Sequence, residues 1–177
     1  LIARPTGSRF EIVDAFSKSI RLGLDLERTG ELSQAGISRA LQALHVCAKK
    51  LNKFGVRNSR LVATEACRRS KNGKSFLSKV KKETGLTLEL IKPEEEARLA
   101  VISCAPLFDP NFSHVLIVDI GGGSTELVWM DLSEVPKEKR IAEMLKLQLG
   151  FKNKNYSKFE NSKKDHIKIV DWISVPL

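Results

Sequence analysis

Along the first half of the chain, apolar positions recur at helical spacing between short runs that suit strands. Ile37, Leu41, Leu44, Ala48 and Leu51 alternate spacings of four and three, which puts them on one stripe of a helix. Ser33 stands where an N-cap belongs and Gly55 where a C-cap does. Upstream, "RFEIVDAFSKSIRLG" predicts an extended segment with Phe10, Ile12 and Val13 mostly buried, then a loop at Arg21, Leu22 and Gly23. "RLVAT" predicts a short strand, and "ATEACRRSKNG" a polar, partly helical turn. Phe76, Leu77 and Val80 mark a second helix stopped near Gly85, and "LTLELI" reads as a strand. Pro93 opens a third helix, "PEEEARLAVISCA", whose first turn carries three acids where the helix dipole favours them.

The pattern then changes. "HVLIVDI" is almost continuously apolar, as in a strand covered on both faces. "GGGSTE" follows, then "LVWMD", a second strand close enough to pair as a hairpin with the glycines at its tip. Strands and helices alternate to this point, which predicts an α/β fold. Past Asp131 the periodicity weakens. "SEVPKEKRIAEMLKLQLG" fits a helix with Ile141, Met144 and Leu145 on one side, and residues 151–166 fit an exposed loop.

Composition narrows the function classes. The chain has 177 residues, 42% of them hydrophobic, enough for a core in one or two small domains. No apolar run is long enough to cross a membrane. Cys47, Cys67 and Cys104 are widely spaced, as are His45, His114 and His166, so neither a zinc site nor a Ser-His-Asp triad is expected. Reduced thiols and a cytoplasmic location follow from that cysteine usage. The formal charge of +9 favours a polyanionic partner. Part of the excess lies between Lys137 and Lys168, including Lys152, Lys154, Lys158, Lys163 and Lys164.

Gly121, Gly122 and Gly123 carry the most specific chemistry. A strand ending in Asp119, followed by glycines and hydroxyls, presents several backbone N–H groups to one small volume. Such a nest binds phosphate oxygens. Asp119 can bind Mg²⁺, and Ser124 and Thr125 can donate hydrogen bonds. The competing reading is a tight hairpin that needs positive φ. The stretch is neither a Walker A loop nor a dinucleotide fingerprint, because no Gly-Lys-Ser/Thr follows and a strand stands where a helix should. A glutamate of "PEEEARL" held near a phosphate could orient or deprotonate a water, and Arg98 is either a structural partner or a phosphate ligand. Arg68 and Arg69 near a strand end could clamp phosphate or form a solvated turn, and Arg21 carries the same ambiguity.

Taken in order, "IRLG", "ATEACRRSKNG", "TGLTLELIKPEEEARL" and "VDIGGGSTELV" resemble the exopolyphosphatase / guanosine pentaphosphate phosphohydrolase (Ppx/GppA) family. The resemblance implies an actin-like pair of ribonuclease-H-like domains. It also implies Mg²⁺-dependent removal of terminal phosphate from inorganic polyphosphate, or of the 5′ γ-phosphate from guanosine pentaphosphate. By it Glu96 would be the general base. Asp119, Gly121, Gly122, Gly123 and Ser124 would form the second phosphate loop, with Glu126 near the metal. Arg68, and less directly Arg21, would hold phosphate. A homodimer is implied for the full-length protein, with no membrane and no specific nucleic acid as partner. The family's first strand and first phosphate loop have no counterpart in the sequence, which therefore reads as an interior piece. The expected division is 1–113 for the first domain and 114–177 for the start of the second.

Overall fold

The computed structural model describes residues 1–7, 9–147 and 167–176. They divide into two compact units, Leu1–Leu90 and Ile91–Leu177.

The first unit opens with an antiparallel hairpin of β1 (Ile2–Thr6) and β2 (Arg9–Asp14). Phe10 and Ile12, expected inside, are 68% and 57% exposed. A two-stranded ribbon buries its faces only where another layer covers them, which sequence alternation alone does not reveal. After a short α1 (Leu26–Thr29), α2 spans Gln34–Lys53. Ser33 caps it as expected, its Oγ accepting the Gly36 N–H at 3.2 Å. Gly55 follows the C-cap Phe54 with φ +59, and Val56 N–H closes back on Leu51 O. Of the expected stripe Ile37 and Leu41 are buried, while Ala48 and Leu51 are half-buried. Lys50 on α2 lies 2.6 Å from Asp14 at the end of β2. Its hydrogen bond holds the Asp14 carboxyl below the ordinary range. That contribution is present at neutral pH and is lost as pH falls through the lowered value.

Next come β3 (Val62–Ala63), α3 (Glu65–Arg69), α4 (Gly73–Thr84) and β4 (Glu89–Leu90), with β4 parallel to β3. Leu32, Ile37, Ala40 and Leu41 pack with Ala63, Cys67, Phe76 and Val80. Burial pushes the Cys67 thiol up to about 11, so it stays neutral and serves as a small apolar side chain. The junction of α3 and α4 is fixed twice over. The Asn72 amide bonds both backbone groups of Leu32, at 2.8 and 2.9 Å. Gly73 stands so close to the Cys67 carbonyl that any Cβ would collide with it.

The second unit holds α5 (Pro93–Cys104), a 3-10 turn, and a sheet ordered β5 (His114–Ile120), β6 (Ser124–Asp131), β7 (Lys168–Pro176). All three strands are antiparallel. The expected boundary at 113/114 falls inside this unit, because α5 packs on β5 and β6. Ala97, Ala100 and Val101 share one core with Ile117, Val128 and Met130. α5 covers one face only. On the other, Leu116, Val118, Ile120, Trp129 and Ile173 are exposed, contrary to a strand covered on both faces. The expected late helix is the six-residue α6 (Arg140–Leu145), with Met144 buried and Leu145 exposed. The expected loop at 151–166, with its lysines, lies outside the described residues. β7 was not foreseen.

Gly73→Ala should cost about 3 kcal/mol, the upper end for overpacking, because backbone must move to admit the methyl. Thermal melting checks this; an unchanged midpoint would mean that the α3–α4 junction relaxes freely.

Candidate phosphate-binding site

The turn between β5 and β6 is set by register. Ile120 pairs with Thr125, and the Gly121 N–H donates to Ser124 O at 2.8 Å, so Gly122 and Gly123 form the tip. A Cβ on Gly121 would lie 3.0 Å from that oxygen, so this glycine serves the turn. Gly122 differs. A Cβ there would meet nothing within 4 Å, and its φ is not positive. Hairpin handedness therefore does not account for it. The amides of Gly122 and Gly123 take no hydrogen-bond partner among the described residues. Exposed amides beside open space are what an anion needs.

The same register sorts the side chains. Asp119 lies directly opposite Glu126, so both project from one face, together with Ser124. Thr125 projects from the other face. Glu126 is 1% exposed and accepts a hydrogen bond from Ser174 Oγ of β7 at 3.0 Å. Ser174 was missed because β7 was missed; the alternation in "KIVDWISVP" was the available signal.

α5 supplies the acids. It leads through the 3-10 turn and residues 108–113 into the start of β5 and packs back on that strand, so its first turn lies toward the glycine end. Glu95 is taken up by Arg98, whose Nε and Nη2 donate at 2.6 and 2.7 Å. Arg98 also reaches Leu147 O, which makes it a structural partner. Glu94 Oε2 is buried with no hydrogen-bond partner among the described residues. Glu96 sits half-buried in the same turn.

Arg68 and Arg21 belong to the first unit. Arg68 is on α3, its Nη2 2.6 Å from Glu65 Oε2. Arg21 has φ +49, the positive-φ position other than glycine among the described residues. Its carbonyl accepts from Leu24 N–H and the Arg39 guanidinium. A Cβ on Gly23 would lie 3.5 Å from Ala66 Cβ, so this turn lies against α3. The two arginine-bearing motifs, 47 residues apart, are thus neighbours in one unit.

The carboxylates bear on the implied Mg²⁺. Two acids directly opposite on paired strands repel, and a buried carboxylate is costly unless compensated. A cation relieves both. Among the described residues no three His, Cys, Asp or Glu side chains gather to hold a metal. Asp119 and Glu126 are the oxygen donors that would hold such an ion.

The description "Ppx/GppA phosphatase family" matches residues 1–153, most of the chain. The chain belongs to that family. An Aquifex aeolicus Ppx/GppA phosphatase, type II variant, is 30% identical with a TM-score of 0.64, covering 98% of this chain and 46% of that one. Another Aquifex aeolicus structure of the family is 37% identical with a TM-score of 0.60, over 72% of this chain and 41% of that one. A bifunctional 3-dehydroquinate synthase/phosphatase of Fusobacterium nucleatum is 30% identical over 164 residues, 87% of this chain and 24% of that protein. The chain thus spans less than half the length of these solved relatives and a smaller part of the curated one. An exopolyphosphatase of Cytophaga hutchinsonii, 23% identical with a TM-score of 0.69, shares the fold. The α/β actin-like architecture of the family is therefore that of this chain. No described helix is long and apolar enough to cross a membrane.

Gly122→Val should leave stability within about 0.5 kcal/mol, as for an unencumbered surface position, while turnover of the full-length protein falls about 10²-fold. Equal loss of melting temperature and activity would return Gly122 to a structural role. Arg21→Gly relieves a positive φ and should hold or raise the melting temperature while weakening phosphate binding. Unchanged binding would free Arg21 of any ligand role.

Proposed function

We propose that the full-length protein hydrolyses the terminal phosphate of inorganic polyphosphate with Mg²⁺. The observation that carries this is Gly122, at the hairpin tip: a Cβ there would meet nothing within 4 Å, and its amide takes no hydrogen-bond partner among the described residues, so neither turn geometry nor packing calls for glycine. The family is one of phosphatases, and a net charge of +9 suits a polyanion.

In this reading the tip amides donate hydrogen bonds to terminal phosphate oxygens, and the Arg68 and Arg21 guanidiniums of the first unit supply positive charge that suits a polyanion. Asp119 and Glu126 would hold Mg²⁺, whose charge offsets that of the phosphate oxygens. Glu96 takes the proton of the attacking water. Phosphoryl transfer asks mostly for positioning and neutralisation, which these groups supply. Three free cysteines suit a reducing, cytoplasmic setting.

The test is phosphate release by the full-length protein from polyphosphate and from guanosine pentaphosphate, each with Mg²⁺ and with chelator. Faster release from polyphosphate that chelator abolishes is expected. A preference for guanosine pentaphosphate would move the substrate within the family's chemistry, and no release from either would leave a binding protein. In the same assay Glu96→Gln should lower turnover by about 10²–10⁴ with little change in affinity. Near-wild-type turnover would remove Glu96 from the mechanism.

A further inference from the structure

The turn that carries Arg21 is held by one face of α2. A Cβ on Gly36, in the first turn of that helix, would lie 3.3 Å from Leu22 O, so helix and turn meet backbone to backbone. Arg39 follows three residues later, one turn along the same face. Its Nε donates to Ile20 O at 2.9 Å, and its Nη2 to Arg21 O at 3.4 Å. These two carbonyls belong to the peptide planes on either side of the Arg21 Cα. Arg21 itself has φ +49. Its side chain is exposed, and its guanidinium makes no hydrogen bond or ion pair among the described residues.

We propose that Arg39 is a positioning residue for Arg21: one guanidinium bridges the two carbonyls and so holds the left-handed backbone from which the Arg21 side chain meets phosphate. This rests on the reading of Arg21 as a phosphate ligand. The relative rotation of two successive peptide planes is set by φ and ψ of the residue between them. A fork of donors that grips both carbonyls therefore fixes both angles at Arg21, and with them the direction in which its Cα–Cβ bond leaves the turn. A left-handed residue brings its flanking carbonyls toward one side, as a helix does, whereas extended backbone turns them apart. The planar guanidinium suits such a pair; an ammonium on a flexible stem holds it less well. A residue with a Cβ populates this region sparsely, so the turn needs a hold from outside. With the hold gone, Arg21 relaxes to ordinary backbone and the binding-competent form becomes a minority, which lowers apparent affinity in proportion. Arg39 also brings a positive charge, which attracts a polyanion whichever way Arg21 points. Orientation and charge are separated by exchanging the fork for an ammonium.

The experiment is a double-mutant cycle on the full-length protein, with binding of inorganic tripolyphosphate followed by calorimetry at several salt concentrations. Arg21→Ala should weaken binding. Arg39→Lys keeps the charge and, unlike Arg39→Ala, a stem that fills the half-buried position, which guards the fold. It should weaken binding about three- to tenfold with Arg21 in place, and less than about twofold in the Arg21→Ala background. Its salt dependence should match that of the unaltered protein, because no charge is lost. Equal weakening in both backgrounds would make Arg39 a ligand or a support of the fold in its own right, and would overturn the proposal. Full affinity in Arg39→Lys would show that charge alone matters, and would overturn it too. Unchanged binding in Arg21→Ala would instead sink the reading of Arg21, and the proposal with it.

Discussion

The pairing of β5 with β6 governs the second unit. From His114↔Asp131 to Ile120↔Thr125 the two strands keep one register without a break. Ile117, Val128 and Met130 hold it, because each must face α5 to be buried. A slip by one residue would turn all three to the other face. The same register sets Asp119 opposite Glu126, gives Ser124 their face, and leaves only two residues for the turn. Placement of the polar end is thus a consequence of apolar packing further down the strands. The chemistry needs no separate scaffold, and any change that loosens the core loosens the site.

The first unit secures its polar residues by closeness of backbone. Gly73 admits no Cβ against Cys67 O, Asn72 ties the α3–α4 junction to Leu32, and Gly36 approaches the Leu22 backbone at the start of α2. Arg39 donates to Ile20 O at 2.9 Å. These contacts bring the turn at Arg21 against α3 and keep Arg21 in a conformation that an arginine rarely adopts. Strain held by surrounding contacts is a feature of binding sites, where the surroundings determine one residue's geometry for it.

Much of this was legible in the chain. Ser33, Gly55, Gly85 and Pro93 announced helix ends, because capping is local chemistry and each residue type has a specific reason to stand there. The glycine hairpin was legible for the same reason. What failed was non-local. Phe10 and Ile12 read as buried, and "HVLIVDI" as covered on both faces, because an apolar run states a tendency without stating what will cover it. β7 escaped because its partner strand lies far upstream in the chain, and Ser174 on Glu126 escaped with it. At the candidate site, Asp119 and the glycines were singled out from residue type and order, and Glu126 from the family resemblance. The separation of Thr125 from Ser124 needed the register.

The three glutamates of α5 show how geometry divides identical side chains. Successive helical residues are turned about 100° from one another, so Glu94, Glu95 and Glu96 project in three directions. Glu95 meets Arg98 at i+3 and becomes part of an ion pair. Glu94 shares its face with Ala97 and Val101, which are 1% and 0% exposed, so its side chain projects along the stripe that packs on the sheet. That is the sheet face bearing Asp119, Ser124 and Glu126, and Oε2 of Glu94 is the buried oxygen without a hydrogen-bond partner. Glu96, two residues beyond Glu94, projects in a third direction and is half-buried, as Glu94 and Glu95 are. A run of three like residues therefore gives one ion-pair partner, one buried oxygen without a hydrogen-bond partner among the described residues, and one residue that the family resemblance implies as the base. The first two follow from the helix period and from which neighbours are apolar; the third rests on the resemblance.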